Sequence, residues 1–212
     1  MSMGGKMKDE AERAVQLDPN HIEARFMLID VYVMAPAMMG GSEAKALEQA
    51  NEIKRNDAFQ GHRAYVRIYT LQKKIDLARN EYLAEVSEEP NSARAHNALG
   101  AFFAITDKNY PGAFEEIEKA LKLDTAYMPA WFRLGQVAAL SLSNFARGEE
   151  ALKKYLKYQP KDTEPELANA HYRLGQIYEN QGKKTEAKQS YEAALQLNPG
   201  LKEAAEGLKR VS

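Results

Sequence analysis

The apolar positions of this chain follow a helical period over nearly its whole length. Near the C-terminal end, Leu174 and Tyr178 lie four residues apart, and Ala187, Tyr191 and Ala194 fall on one stripe of the next segment. Spacings of this kind predict amphipathic helices that bury one face. No segment shows the strict apolar–polar alternation that would predict a β-strand. The pattern therefore predicts an all-α protein.

Turn-forming residues divide this helical pattern into pairs of helices. Breaks are expected at Pro36–Gly41, Asn109–Gly112, Asn144 and Gly182. Glycine, proline and asparagine are favoured in turns because they adopt or preset backbone conformations that interrupt a helix. The second helix of each pair ends at a proline or at a polar substitute for it. We therefore expect a unit of two helices that repeats along the chain.

The dipeptide Leu-Gly marks the first helix of successive units. It occurs in HNALG, WFRLG and HYRLG, which places Gly100, Gly135 and Gly175 at intervals of 35 and 40 residues. A glycine inside a helix costs about 1 kcal/mol relative to alanine, so its recurrence needs a packing reason. We expect each glycine, together with a small residue such as Ala187, to allow two helix backbones to approach closely.

One unit carries the pattern almost completely, at His171, Leu174, Gly175, Tyr178, Ala187, Tyr191, Ala194 and Pro199. These residues resemble the tetratricopeptide repeat, a helix-turn-helix unit of about 34 residues. The resemblance covers residues 6–211. It implies an all-α, right-handed α–α superhelix, a solenoid in which each helix pair packs on its neighbours and a C-terminal helix caps the array.

The boundaries of the units follow from the same pattern. They are 6–19, 20–57, 58–91, 92–126, 127–162 and 166–200, followed by a capping helix at 201–211. Residues 6–19 look like a second helix without its first, so the array is expected to begin within a repeat and could self-associate end to end through this helix. Residues 1–5 read like additions made for expression.

The unit at 20–57 contains an insertion, APAMMGGS, and the register of its second helix, 43–53, stays open. Met38 and Met39 in this insertion could hold an apolar partner, although we expect them to fold back over the neighbouring repeat. Bacterial tetratricopeptide proteins with an insertion of this kind are often exported. The resemblance therefore favours a periplasmic or exported location for the full-length protein, with a cytoplasmic location as the alternative.

Composition limits the possible partners. The chain has 29 Lys and Arg against 30 Asp and Glu, a formal charge of −1, and thus no general positive field for nucleic acid or anionic lipid. Cysteine is absent, which excludes disulfides, thiolate nucleophiles and cysteine-ligated metals. No run reaches the roughly 18 apolar residues of a membrane span. A protein or peptide partner is the remaining expectation.

The motifs that could suggest catalysis have simpler explanations. Ser42 and Lys45 form a Ser-x-x-Lys pattern, but Thr185 stands at the apparently equivalent place, so both hydroxyl residues are expected to be helix N-caps. His96 and His171 occupy the position of Trp131 in their own units, which predicts packing. No His-Glu-x-x-His or phosphate-binding glycine loop is present. We therefore expect neither catalysis nor a metal or cofactor.

Charge is distributed unevenly between the helices of a pair. The five predicted first helices carry a net charge of +5, which leaves −6 for the rest of the chain. The resemblance implies that first helices line a concave groove. The candidate groove residues are Phe26, Arg63, Arg67, Arg94, Asn97, Phe132, Arg133, Gln136, Tyr172, Arg173 and Gln176. These residues predict binding of an extended, acidic segment, with a solvated basic surface as the alternative.

A second function stays open at this point. The chain could instead be a structural spacer, or an assembly subunit that contacts its neighbours through its end helices. The two functions differ in the residues on which they depend. A groove needs the arginines of the first helices, whereas a spacer or subunit needs the helices at its ends.

Overall fold

The computed structural model describes residues 3–212, with side chains from residue 5 onward. Residues 1 and 2, part of the expected expression-derived segment, lie outside the described range. Within that range the chain forms twelve α-helices and no β-strand, which confirms the all-α prediction. The helices belong to two compact units, Met1–Glu89 and Pro90–Ser212. We refer to these as unit 1 and unit 2.

Unit 1 contains five helices joined by short connections. They are α1 (Met3–Leu17), α2 (Ile22–Met34), α3 (Glu43–Asn56), α4 (Ala58–Leu71) and α5 (Ile75–Glu88). A single 3₁₀ turn at Ala37–Met39 lies between α2 and α3. Each helix packs on the next along the chain, and α2 also contacts α4. Successive helices of a hairpin run antiparallel, so α2 and α4 lie side by side in the same direction.

Unit 2 contains the remaining seven helices. They are α6 (Ala93–Phe102), α7 (Tyr110–Leu123), α8 (Met128–Ser141), α9 (Phe145–Tyr155), α10 (Leu167–Asn180), α11 (Lys184–Leu197) and α12 (Lys202–Val211). The pairs α6–α7, α8–α9 and α10–α11 have the most extensive contacts. In addition, α8 contacts both α6 and α10. The first helices of the three pairs are therefore neighbours.

The Leu-Gly glycines lie where two helices meet. A Cβ atom on Gly135 would stand 2.2 Å from Leu152 Cγ, and one on Gly175 would stand 2.6 Å from Tyr191 Cε1. At Gly100 the nearest atom would be Ile117 Cγ1, at 2.7 Å. These distances support the packing reason for the repeated glycine. The immediate neighbour is the bulky side chain of the second helix rather than the small residue.

Helix α12 is attached to the preceding pair through Tyr191. The ring of Tyr191 lies between two glycines, since a Cβ on Gly207 of α12 would also come within 2.5 Å of it. The Tyr191 hydroxyl donates to Glu179 Oε2 at 2.5 Å, and Arg210 Nε donates to Glu179 Oε1 at 2.7 Å. Burial and the bond to Glu179 raise the pKa of Tyr191. A buried aromatic ring and a shared carboxylate thus hold α12 in place.

The open register of α3 is decided by its buried residues. Ala46, Ala50 and Ile53 face the core of unit 1, whereas Ala44 is exposed. Ser42 caps this helix, because its hydroxyl accepts a hydrogen bond from the Lys45 amide at 3.3 Å. The N-cap interpretation of Ser42 is therefore confirmed.

The same interpretation is wrong for Thr185. This residue lies inside the first turn of α11, whose N-cap is Lys183. The correct correspondence is between Ala46 and Ala187, both fully buried, and hence between Ser42 and Lys183. Matching Ser42 to Thr185 by residue type is wrong by two residues. Side-chain burial, and not residue type, defines the helix register.

A hydrogen bond to the preceding turn recurs at one position of the first helices. Trp131 Nε1 donates to Thr125 O at 2.9 Å, and His96 Nε2 pairs with Pro90 O at 3.0 Å. The other ring nitrogen of His96 lies 2.6 Å from Glu116 Oε2. His96 thus replaces a tryptophan in packing and in bonding. His171 is half-buried, and burial lowers its pKa.

We expect Gly135→Ala to destabilise unit 2 by about 1–3 kcal/mol, because the added methyl group overlaps Leu152 in a closely packed interface. Trp131 is the only tryptophan of the chain and lies in unit 2, so its fluorescence during urea denaturation reports the change. Gly200→Ala is the control, since Gly200 is exposed and a Cβ there would be 3.4 Å from its nearest neighbour. Equal midpoints for the two variants would contradict the packing explanation.

Candidate functional site

The candidate groove residues fall into two groups, one in each unit. Phe26, Arg63 and Arg67 lie on α2 and α4, and we call this the unit 1 surface. The other candidates lie on α6, α8 and α10, and we call this the unit 2 surface. They are Arg94, Asn97, Phe132, Arg133, Gln136, Tyr172, Arg173 and Gln176. Arg63 and Arg67 of the unit 1 surface differ from Arg173 of the unit 2 surface in the groups that they contact.

Both arginines of the unit 1 surface are bound to carboxylates of the same chain. Arg67 forms a two-pronged ion pair with Asp30 of α2, in which Nη2 lies 2.6 Å from Oδ2. This bond raises the pKa of Arg67. Arg63 Nη2 donates to Glu85 Oε2 of α5, and the Glu85 side chain is fully buried. Both arginines thus have carboxylate partners within the chain, which reduces the positive charge that they offer to a ligand.

What remains on the unit 1 surface is largely apolar. A hollow of about 440 Å³ lies between α2 and α4, with Phe26, Met27 and Val66 among its lining residues and the Asp30–Arg67 pair at its edge. Phe26 is half-buried against the core of unit 1. Such a surface suits an apolar side chain better than an acidic one.

On the unit 2 surface, Arg173 has no carboxylate partner among the described residues. Arg173 Nη1 donates to Gln176 Oε1 at 2.8 Å, and the Arg173 guanidinium stands 5.0 Å from the centre of the Tyr172 ring. Gln176 Nε2 in turn donates to the Tyr172 hydroxyl at 2.9 Å. These contacts hold the arginine in one orientation by means of neutral groups only.

Burial is the main electrostatic influence on Arg173. It lowers the pKa of this guanidinium, while Tyr172 and Glu203 act through space in the opposite direction. Glu203, on α12, forms no hydrogen bond with Arg173 in the described part of the chain. A desolvated guanidinium gains more from a carboxylate than one in water does, because the surrounding dielectric is lower.

The same arrangement occurs one unit earlier. Arg133 Nη1 donates to Gln136 Oε1, as Arg173 does to Gln176. Both arginines precede a Leu-Gly glycine by two residues, and both glutamines follow it by one. On α6 the corresponding positions are Ala98 and Ala101. The arginine–glutamine pair is thus present on two adjacent helices and missing on the third.

The remaining polar candidates gather around a residue that the sequence analysis missed. Tyr127, immediately before α8, lies close enough to Arg94, Arg133 and Asn97 for all three to influence its pKa. Burial is the dominant effect and raises the pKa of Tyr127, whereas these three neighbours lower it. Tyr127 stands before its helix begins, so no helical periodicity marks it. Its aromatic character next to a helix start was the only available signal.

Phe132 does not belong to the candidate surface. It is 4% exposed, and its ring centre lies 5.4 Å from that of Tyr155 on α9. Phe132 is therefore a core residue of unit 2. Asn97 and Gln136 are also nearly buried, but both are polar and lie beside the arginines. Tyr172 is half-buried and packs against Tyr191.

The methionine loop does not fold back as expected. Met38 is 93% exposed, and Met39 borders an apolar hollow of about 480 Å³ together with Met7 and Met34. The 3₁₀ turn directs Met38 away from the chain, because the loop closes through backbone bonds to Pro36 O. The fold-back interpretation of Met38 is therefore wrong.

The described residues contain neither a metal-binding cluster nor a membrane-spanning helix. Among residues 3–212, no group of three or more His, Cys, Asp or Glu side chains has an arrangement that could hold a metal ion. None of the described helices combines the length and the apolar character that a bilayer crossing requires.

Comparison with known proteins agrees with the helical architecture. Residues 168–201 match the family model of the tetratricopeptide repeat. Anaphase-promoting complex subunit 7 of Arabidopsis thaliana is 24% identical over 202 residues, which is 95% of this chain and 34% of that protein. The chain thus spans about a third of the length of this relative.

Solved structures give the same result for the fold. BtubC from P. vanneervenii has a TM-score of 0.64 at 17% identity, over 94% of this chain and 89% of that one. YrrB, described as a TPR protein with an unusual peptide-binding site, has a TM-score of 0.60 at 13% identity, over 94% and 97% of the two chains. The chain thus contains a match to the tetratricopeptide repeat at residues 168–201 and shares the helical fold of these structures.

Substitution of Arg63, which is paired with a carboxylate, should lower the free energy of unfolding much more than substitution of Arg173, which is held by neutral groups. Arg63→Gln leaves the buried Glu85 carboxylate without its partner and is expected to cost about 3–5 kcal/mol. Arg173→Gln loses one hydrogen bond and also removes a desolvated charge, so we expect a change below about 1 kcal/mol. Urea denaturation followed by circular dichroism measures both. Similar losses in the two variants would show that the assignment of partners is incorrect.

Proposed function

We propose that this protein is a non-catalytic interaction module whose unit 2 surface binds an extended, acidic segment of a protein partner. The observation that carries the proposal is the repeated arginine–glutamine pair on α8 and α10. Arg173 is held by neutral groups and has no carboxylate at hydrogen-bonding distance in the described part of the chain. An acidic ligand would supply the missing charge.

The geometry of the arginine favours a carboxylate. A guanidinium presents several N–H groups in one plane and can bind both oxygens of a carboxylate at once. In Arg173, one Nη1 bond goes to Gln176, and the contact with the Tyr172 ring limits the rotation of the group. Because the side chain is already oriented, less conformational entropy is lost when the ligand binds.

The glutamines support recognition of an extended backbone. Their amide oxygens accept hydrogen bonds from the arginines, so the amides offer mainly N–H donors to a ligand. Peptide carbonyl groups are suitable acceptors for such donors. Acidic side chains of the ligand would then determine where it binds. Hydrogen bonds to its backbone carbonyl groups would supply part of the affinity.

Similar proteins are consistent with a role in protein interaction. YrrB is described as having a peptide-binding site, and the Arabidopsis relative is named as a subunit of a complex. The exported or periplasmic location that the APAMMGGS insertion suggests is retained as a prediction. Fractionation of cells that express the native protein would test it.

Assembly through the end helices is the second candidate. The observation in its favour is the exposure of apolar residues on α1, where Leu17 is 78% exposed and Met7 41% exposed. The name of the Arabidopsis relative also agrees with an assembly role. If Leu17→Glu abolishes a partner interaction and Arg173→Gln leaves it unchanged, this second function is preferred.

We expect Arg173→Gln to weaken the binding of an acidic peptide at least about tenfold, because a charged hydrogen-bonded contact contributes on the order of 1.5–3 kcal/mol. Lys188→Gln is the matched control: it removes the same charge from an exposed position on the second helix α11 and should change the affinity less than about twofold. Isothermal titration with a poly-Glu hexapeptide measures both effects.

Binding should also weaken as salt rises from about 0.01 M to about 0.15 M, since exposed charges are screened more strongly. A poly-Lys hexapeptide is the negative control for charge sign. Equal affinities for the two peptides, or equal losses in the two variants, would contradict the proposed function.

A further inference from the structure

We propose that α5 is an acid-releasable helix: its carboxylates hold it against α4, and acid detaches it while the rest of unit 1 stays folded. The proposal is independent of the function assigned to the unit 2 surface. It rests on the small apolar contribution of α5 to the core, on the charged contacts of this helix, and on one buried position that differs from the other helix pairs.

Helix α5 buries little apolar surface. Its only buried residues are Ala78 and Glu85, whereas Leu77 and Leu83 are exposed. Among the described residues, the buried apolar cluster of unit 1 contains side chains of α1, α2, α3 and α4, but none of α5. Helix α4 is the only helix in that part of the chain with which α5 forms extensive contacts. Because helices are normally held by an apolar face, other contacts must hold α5 in place.

Two carboxylates of α5 contact nitrogen groups of α3 and α4. His62 Nδ1 lies 2.7 Å from Glu81 Oε1, and His62 Nε2 lies 3.2 Å from Glu88 Oε2. Lys54 Nζ, on α3, donates to Glu88 Oε1 at 3.0 Å. The His62 side chain is 1% exposed, so it lies in the interface between α4 and α5 and not on the surface.

A third carboxylate, Glu85, lies within the same interface. It accepts a hydrogen bond from Arg63 Nη2 and is fully buried. The Arg63 guanidinium stands 4.2 Å from the centre of the Tyr82 ring and 5.0 Å from the centre of the Phe59 ring. Arg63 therefore joins α5 to α4 through its charge and through its contact with an aromatic ring of each helix.

The other helix pairs show that Glu85 is an exception. In the second helices α3, α7, α9 and α11, one core position follows a small buried residue by seven positions. It is occupied by Ile53, Ala120, Tyr155 and Ala194, which are all completely buried hydrophobic residues. In α5 the same position, seven after Ala78, is Glu85. An ionisable group thus stands where these four helices have hydrophobic side chains, and protonation can remove its charge.

The direction of the pH effect follows from Glu88. The hydrogen bond from Lys54 lowers its pKa most, burial opposes this change, and the bond from His62 adds to it. A carboxylate whose pKa is lowered by folding stabilises the folded form fully above its ordinary pKa of about 4.3. This contribution is lost as the pH falls through the lower value of the folded state. Protonation of His62 strengthens its contacts, so release requires a pH that neutralises the carboxylates.

Three further groups near these carboxylates keep their charge state in acid. Burial is the main cause that raises the pKa of Tyr65 and of Tyr69, and the charge of Glu81 adds to it, so both stay neutral. Arg63 stays positively charged, and it also lines the hollow of the unit 1 surface. Once protonated, Glu85 no longer balances the charge of Arg63. Release of α5 thus also changes the charge at this hollow.

Hydrogen exchange of the full chain, followed by mass spectrometry, tests the acid release. After correction for intrinsic exchange rates, we expect the amides of α5 to lose at least about tenfold in protection between about pH 7 and about pH 3.5. The amides of α3 should lose less than about threefold. In the double variant Arg63→Tyr, Glu85→Ala, which copies Tyr172 and Ala194 of the pair α10–α11, the loss in α5 should be at least about threefold smaller.

A single substitution tests the same contact at constant pH. Glu85→Gln keeps the shape of the side chain and removes its charge, so α5 should exchange at least about tenfold faster while α3 changes less than about threefold. Asp76→Asn is the matched control, because Asp76 is 89% exposed and pairs with Arg79 of the same helix. It removes one carboxylate from α5 and should change exchange there less than about threefold.

Each result supports or overturns the proposal. Equal losses of protection in α3 and α5 on acidification would show that unit 1 opens as a whole, and the acid release of α5 would be wrong. A Glu85→Gln chain in which all of unit 1 loses protection would lead to the same conclusion. If the apolar double variant loses as much protection in α5 as the unaltered chain, the Arg63–Glu85 contact does not control the release.

Discussion

The close contact between a glycine of one helix and a bulky side chain of the next sets the orientation of the helices in unit 2. Gly135 must face Leu152, and Gly175 must face Tyr191. An α-helix turns by about 100° per residue, so positions two before and one after the glycine point away from this contact. The arginine and the glutamine therefore reach the opposite face together. A packing requirement thus positions the groups that we assign to binding.

The two units use arginine for different purposes. In unit 1, Arg63 and Arg67 reach carboxylates on other helices, and Glu85 is buried so completely that its ion pair belongs to the core. In unit 2, Arg173 is oriented by a glutamine and a tyrosine, both neutral. A charge whose partner is inside the chain contributes to stability. A charge held by neutral groups keeps its attraction for an external partner.

Packing around the unit 2 surface also limits its mobility. Tyr172 contacts Tyr191, which lies between Gly175 and Gly207 and bonds to Glu179. The aromatic ring beside Arg173 is therefore supported by α11 and α12 as well as by its own helix. Preorganisation of this kind reduces the entropy lost on binding, and it lets a small number of polar contacts discriminate between ligands.

The pattern of neighbouring residues along the chain was enough to predict much of the fold. Helical periodicity, turn residues and the repeated Leu-Gly were enough to predict an all-α repeat fold and to assign His96 to packing. Tertiary contacts decided the rest. Phe132 turned out to be a core residue, Thr185 lies inside its helix, and the register of α3 depends on which alanines are buried.

The physical reason is the range of the interactions. A helix depends on residues within a few turns, and their pattern is visible in the sequence. The fate of a charged side chain depends on residues that are distant along the chain: Arg67 meets Asp30 37 residues away, and Arg63 meets Glu85 22 residues away. Periodicity could place Arg63, Arg67 and Arg173 on first helices. Only the packed structure showed that the first two have carboxylate partners and that Arg173 is held by neutral groups.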